Sequence, residues 1–132
     1  MIYLDNGATT KICKEAAEAM EPYGNPSGIY TLSKKSRKII EETREKIAGV
    51  LNCKGENIIF TSGGTESDNW VLENAKQWGN HIVTSKIEHH AVLNKCSELE
   101  QKGMHVSYIG TDREGLINPY EIESYIRNDK TI

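Results

Sequence analysis

NIIFTSGGTESDNWVLENAKQWGNHIVTS, residues Asn57 to Ser85, carries a complete change of hydrophobic rhythm in one stretch. Its opening, Asn57 to Ser62, is short, β-branched and aromatic between polar turns, which predicts a buried strand. A helix is expected from Thr65 to Trp78, closed by Gly79 in a left-handed conformation. His81 to Ser85 repeats the strand pattern. Working outward, a helix follows from about Ala91 to Gln101 with a stop at Gly103, then a third strand at His105 to Ile109. Asn118, Pro119 and Glu121 have the order of an N-cap, a first-turn proline and a capping-box acid, opening a helix to about Arg127. Strand, helix, strand, helix, strand is the βαβ order of parallel strands with covering helices, so the fold class is α/β. Thr131 and Ile132 look like the start of a further strand.

Upstream, Lys14 to Met20 predicts a short helix stopped by Pro22 and Gly24, and Gly24 to Gly28 a loop. From Ser33 to Leu51 the apolar residues Ile39, Ile40, Ile47, Ala48, Val50 and Leu51 return to one face of a long surface helix. The expected division is an N-terminal arm, short helix and loop over 1–32, followed by an incomplete α/β domain over 33–132.

The chain has 132 residues, 27% of them charged and 37% hydrophobic, with a net charge of -3. Those values suit one soluble globular domain and give no electrostatic reason to expect nucleic acid or an anionic membrane. No apolar run approaches the roughly 18 residues of a membrane span, and the first residues resemble no signal peptide, so a cytoplasmic location is expected. Cys13, Cys53 and Cys96 are odd in number and far apart, and the four histidines lack metal-site spacing. Neither a disulfide framework nor a metal site is expected.

In open parallel sheets, ligands lie beyond the carboxyl ends of the strands, where helix N-termini aim free N–H groups at a common space. Gly63, Gly64 and Thr65 follow the first strand; Glu88, His89 and His90 follow the second. The glycine turn fits an anion, because small residues admit close approach and the Thr65 hydroxyl adds a donor. It is neither a Walker loop nor G-x-G-x-x-G. Glu66 and Asp68 would repel a phosphate unless their side chains point away, and a plain strand-to-helix turn is the competing reading. His89 has three open roles: stacking on a ring, acid–base work, or capping the next helix.

Taken together, YLDNGATT, GNPSG, FTSGGTESDN and SKIEHHAVL resemble the N-terminal signature of the class V aminotransferases, in particular the cysteine desulfurases of nitrogen fixation and iron–sulfur assembly. The resemblance runs through essentially the whole chain. It implies a partial fold-type I large domain and dependence on pyridoxal 5'-phosphate. It further implies that Gly64 and Thr65 hold the cofactor phosphate, and that His89 stacks on the pyridine ring and assists proton transfer as a catalytic residue. The implied reaction converts L-cysteine to L-alanine and loads sulfur onto an enzyme cysteine as a persulfide. Implied partners are L-cysteine, sulfur-acceptor or scaffold proteins, and a second copy of the chain in a homodimer.

The resemblance also exposes what this sequence does not contain: the Schiff-base lysine in its S-x-H-K setting, the aspartate that pairs with the pyridine nitrogen, and the sulfur-accepting cysteine. Without them the chain is expected to be inactive and to bind the cofactor at most weakly. Gly28, Tyr30 and Ser33 stand where the family commonly has serine, histidine and glycine, which bears on substrate handling and loop geometry. Strands missing from the family sheet would leave open edges, so an oligomer or swapped assembly is expected. Alternatives are a stand-alone phosphate-binding α/β module, a non-catalytic oligomerisation fragment, or another class V enzyme such as a selenocysteine lyase or an aminotransferase.

Overall fold

The computed structural model describes residues 2–20, 24–127 and 130–132. They fall into two compact units, Met1–Ile59 and Phe60–Ile132. In the first, α1 (Lys14–Ala19) buries no residue, and α2 (Thr31–Val50) buries Ser33 and Ala48. The predicted stop at Pro22 lies outside the described residues. Beyond α2 the chain turns through Asn52 at φ 52, with Cys53 N–H donating to Ala48 O and Asn52 N–H to Gly49 O. That pair of bonds is a Schellman closure with asparagine in the left-handed position, a conformation its short side chain tolerates. A single 3₁₀ turn, Gly55–Asn57, then packs against α2, where Arg44 donates to the Ile58 carbonyl.

The loop before α2 is built around one arginine. Arg37 donates from Nε to Pro26 O at 2.8 Å and from Nη2 to Gly28 O at 3.0 Å, holding the turn to the helix. A methyl group on Gly28 would lie 2.3 Å from Ser33 Oγ. Glycine at 28 and serine at 33 are therefore coupled: the lack of a side chain at 28 leaves room for the Ser33 hydroxyl.

In the second unit, α3 (Gly64–Ala75), β1 (His81–Ser85), α4 (His90–Gln101), β2 (His105–Ile109) and α5 (Pro119–Tyr125) follow in the predicted order. β1 and β2 are parallel, in register from His81 with His105 to Ser85 with Ile109. On its other side His81 makes an isolated parallel bridge with Thr131, so β1 lies between β2 and that bridge. α3 and α4 cover the face carrying Ile82, Val106 and Tyr108, where Ala75, Ile82, Cys96 and Leu99 form the buried cluster. Leu99 is 1% exposed, a burial worth about 1.5–3 kcal/mol. α4 ends as expected: Gly103 at φ +92 donates to Glu100 O, and Met104 N–H to Leu99 O.

Two expectations are corrected. Asn57–Ser62 is not a buried strand: Asn57 closes the 3₁₀ turn, the sheet among the described residues contains only β1, β2 and the Thr131 bridge, and Ile59 is 61% exposed. An apolar β-branched run becomes a buried strand only where neighbouring strands exist to bracket it. Nor is Gly79 left-handed: α3 stops at Ala75, four residues earlier. Gly79 is small because the backbone passes over it; an added methyl group would meet Lys130 O at 2.4 Å.

Candidate functional site

The site assembles in the second unit from the starts of α3 and α4. Gly63 is the N-cap of α3 and Gly64 its first residue, with no side-chain cap. An α-helix supplies no acceptor for its first N–H groups, and here Ser67 N–H is the first to find one, at Gly63 O, 3.1 Å away. A methyl group on Gly63 or Gly64 would meet no atom within 4 Å beyond its immediate chain neighbours. Internal packing therefore does not demand the glycine pair, and neither residue has a backbone angle that does. What the pair leaves is an open cradle of amides at the positive end of a helix, next to the Thr65 hydroxyl.

Neighbouring side chains fix this turn. Ser62 donates from both its N–H and its Oγ to Glu66 Oε2, each at 2.6 Å. Thr61 Oγ1 and Ser67 Oγ are hydrogen-bonded 2.7 Å apart, and each lies 3.2 Å from Gly63 O, so one hydroxyl donates to the other and the second donates to the carbonyl. The Glu66 carboxylate thus folds back onto the residue before the cap, the disposition that the sequence required of an acid so close to an anion. Its two hydrogen bonds from Ser62 lower its pKa. A carboxylate three residues into a helix is a capping signal, but its reach to Ser62 instead of the N-cap was not readable in advance.

His89 is the N-cap of α4, and its Nδ1 accepts from Ala91 N–H at 3.1 Å. Of the three roles left open, capping is the one seen. The bond also orients the ring: with Nδ1 accepting, the neutral imidazole carries its proton on Nε2. Ser85 Oγ donates to Glu88 Oε1 at 2.7 Å, bracing the turn from β1 into His89. His90 lies next to it, ring centroids 6.3 Å apart.

Thr65 and His89 share one cleft of about 300 Å³ between the two helices, lined also by Asn69, Asn94 and Lys95. Thr65, the residue after Gly64, is the part of the turn that lines it. Asn69 Oδ1 is buried without a hydrogen-bond partner among the described residues, an acceptor that burial makes costly to leave bare. Lys95 is 11% exposed and pairs with Glu73 at 2.6 Å and Glu98 at 3.1 Å. The Glu73 bond, with help from Glu98, raises the Lys95 pKa, so its amine stays protonated. Bonds from Lys76 and then Lys95 pull Glu73 down to about 2. No periodicity announced this network; it joins residues 22 apart in sequence through helix packing. No cluster of metal-binding side chains occurs among the described residues, and none of their helices is long and apolar enough to cross a membrane.

Comparison with known proteins gives a consistent result. Residues 2–132 match the Aminotransferase class-V family. Cysteine desulfurase IscS of Methanosarcina thermophila is 46% identical over 97% of this chain and 34% of its own length. The IscS of Dictyoglomus turgidum is 45% identical over 97% of this chain and 35% of its own. Among solved structures, a NifS-like protein superposes with a TM-score of 0.87 at 34% identity, over 96% of this chain and 37% of that one. A second, described as SspA in complex with cysteine, gives 0.82 at 33% identity, over 95% of this chain and 38% of its own. The chain spans about a third of the length of these relatives.

Proposed function

The chain belongs to the class V aminotransferase family, whose members depend on pyridoxal phosphate, and on that premise we propose that it is the phosphate-holding N-terminal part of a cysteine desulfurase. When bound, the cofactor supplies an electron sink for cleaving bonds to the amino-acid substrate. The observation that carries the reading is the pair Gly63 and Gly64: added side chains there meet only open space, at an uncapped helix start whose next residue, Thr65, lines one cleft with His89. A phosphate fits that cradle by size and charge.

In this reading Gly64 and Thr65 hold the phosphate through backbone N–H groups and the Thr65 hydroxyl. His89, whose Nδ1 accepts the Ala91 N–H, would keep its Nε2–H available to the bound cofactor and would assist proton transfer there. Ser62, Glu66, Thr61 and Ser67 keep the turn in shape. The chain's own lysine in the cleft, Lys95, does not replace the family's covalent lysine, because the two glutamates hold its amine charged and a nucleophile must be neutral. The substrate of the assembled enzyme is L-cysteine, with a sulfur-acceptor or scaffold protein downstream; the chain by itself is inactive, cytoplasmic and oligomeric. The 22 large apolar side chains left exposed among the described residues, Trp70 and Trp78 included, support association.

Titrating the 132-residue chain with pyridoxal phosphate tests this. The expected result is weak, reversible binding that shifts the amide resonances of Gly64 and Thr65 and the His89 ring, is lost in Thr65→Val, and leaves no borohydride-stable lysine adduct. Undisturbed Gly64 and Thr65 amides at saturating cofactor, or stoichiometric trapping on one lysine, would overturn it. Sedimentation as a clean monomer would remove the claim of association.

A further inference from the structure

His81 is fully buried in β1, in register with His105 of β2 on one side and bridged to Thr131 on the other. Both ring nitrogens are used: Nδ1 lies 2.9 Å from Thr131 Oγ1, and Nε2 lies 2.8 Å from Ser107 Oγ. Thr131 Oγ1 also accepts the Arg127 N–H at 2.7 Å. A neutral imidazole has one donor and one acceptor, and two hydroxyls can satisfy both. An imidazolium needs two acceptors and a counter-charge. Here the Thr131 hydroxyl would have to accept twice, losing the acceptor for its own proton.

We propose that His81 is a proton-operated latch: its neutral ring holds residues 130–132 against β1, and its protonation releases them and bares the β1 edge. Three backbone bonds would open together: Ile132 N–H to His81 O (2.8 Å), Val83 N–H to Ile132 O (3.2 Å) and Asn80 N–H to Lys130 O (3.1 Å). The backbone bonds between β1 and β2 flank the same strand and do not pass through the ring. Lys86 N–H to Ile109 O and His105 N–H to Asn80 O, both 2.9 Å, therefore persist. Arg127, beyond α5, and His105, on β2, act on the imidazole, and both oppose a positive charge there. Burial is the leading cause that, ahead of Arg127 and then His105, holds the pKa below the ordinary histidine value. The sign follows: a depressed folded pKa gives stability that is complete above about pH 6.5, the unfolded value, and is lost as pH falls through the folded value. What is bared is a row of unpaired N–H and C=O groups, a template for another strand.

Amide exchange in the 132-residue chain, followed by NMR from about pH 8 to about pH 5 and corrected for intrinsic rates, tests the latch across the histidine range. Protection at Ile132 and Val83 is expected to fall by up to about tenfold per pH unit below about pH 6.5, levelling off once the latched ring itself titrates, while Lys86 and Met104 keep theirs, and ring ¹⁵N shifts should report His81 protonation as the fall levels off. Thr131→Val should weaken Ile132 protection at neutral pH and flatten its pH dependence; His105→Gln should leave the transition in place. Loss of all four amides together would show global unfolding and overturn the proposal. So would unchanged Ile132 protection across the range, an undiminished pH dependence in Thr131→Val, or its disappearance in His105→Gln.

Discussion

Replacing Gly28 by alanine sets a methyl group 2.3 Å from Ser33 Oγ, where ordinary contact begins near 3.4 Å. Ser33 is fully buried in the first turn of α2, so its hydroxyl has little room to retreat. Overpacking of this kind costs about 1–3 kcal/mol. The Tyr30 ring, 2.8 Å from the same methyl, is 55% exposed and can rotate away. Gly28 does not occupy the positive-φ region, so once the steric obstacle is gone, glycine to alanine should stabilise by about 0.4–1 kcal/mol through the unfolded chain. Ser33→Gly removes that obstacle. It also removes a buried hydroxyl that has no partner among the described residues, a gain of about 1–3 kcal/mol set against about 0.5 kcal/mol of lost helix propensity. Gly28→Ala should therefore destabilise the parent chain and stabilise the Ser33→Gly chain, a coupling of about 1.4–4 kcal/mol. Urea unfolding followed by helical circular dichroism on the four members of the cycle reads it directly. Equal losses from Gly28→Ala in both backgrounds would refute the reasoning, and with it the claim that the two positions are coupled.

Two further outcomes follow from the second unit. Leu99→Ala, in the cluster with Ala75, Ile82 and Cys96, should cost about 2.7–5 kcal/mol in urea unfolding; a loss under about 1 kcal/mol would mean the cluster is not the core. Glu73, with its pKa drawn down to about 2 from 4.5 by Lys76 and Lys95, contributes stability that is present above about pH 4.5 and lost as pH falls toward 2. Glu73→Gln should flatten the acid side of a plot of urea midpoint against pH, and an unaltered slope would count against the network.

Local chemistry made most of the second unit legible. β1 and β2 came from β-branched runs, the end of α4 from Gly103, and the start of α5 from Asn118, whose Oδ1 accepts the Tyr120 N–H at 3.1 Å. Each of these signals acts within a few residues of itself. The failures share the opposite property. Whether Asn57–Ser62 becomes a strand depends on neighbours supplied from elsewhere, and Gly79 is small because of a backbone segment 51 residues away. At the candidate site, the glycine pair and His89 were legible because their meaning lies in main-chain groups and helix starts. The Lys95 network and the orphaned Asn69 oxygen were not, since both depend on how α3 and α4 pack.

The position of β1 has a consequence for how this sheet is made. The strand that ends in the middle is the earliest to leave a ribosome, and its two flanks fill at different times: β2 after the α4 crossover, and Thr131 only 50 residues beyond His81. During that interval a nascent β1 has an open seam, and parallel pairing across such separations is slow. The buried imidazole belongs to that same strand, so acid and incomplete synthesis expose one and the same row of backbone groups.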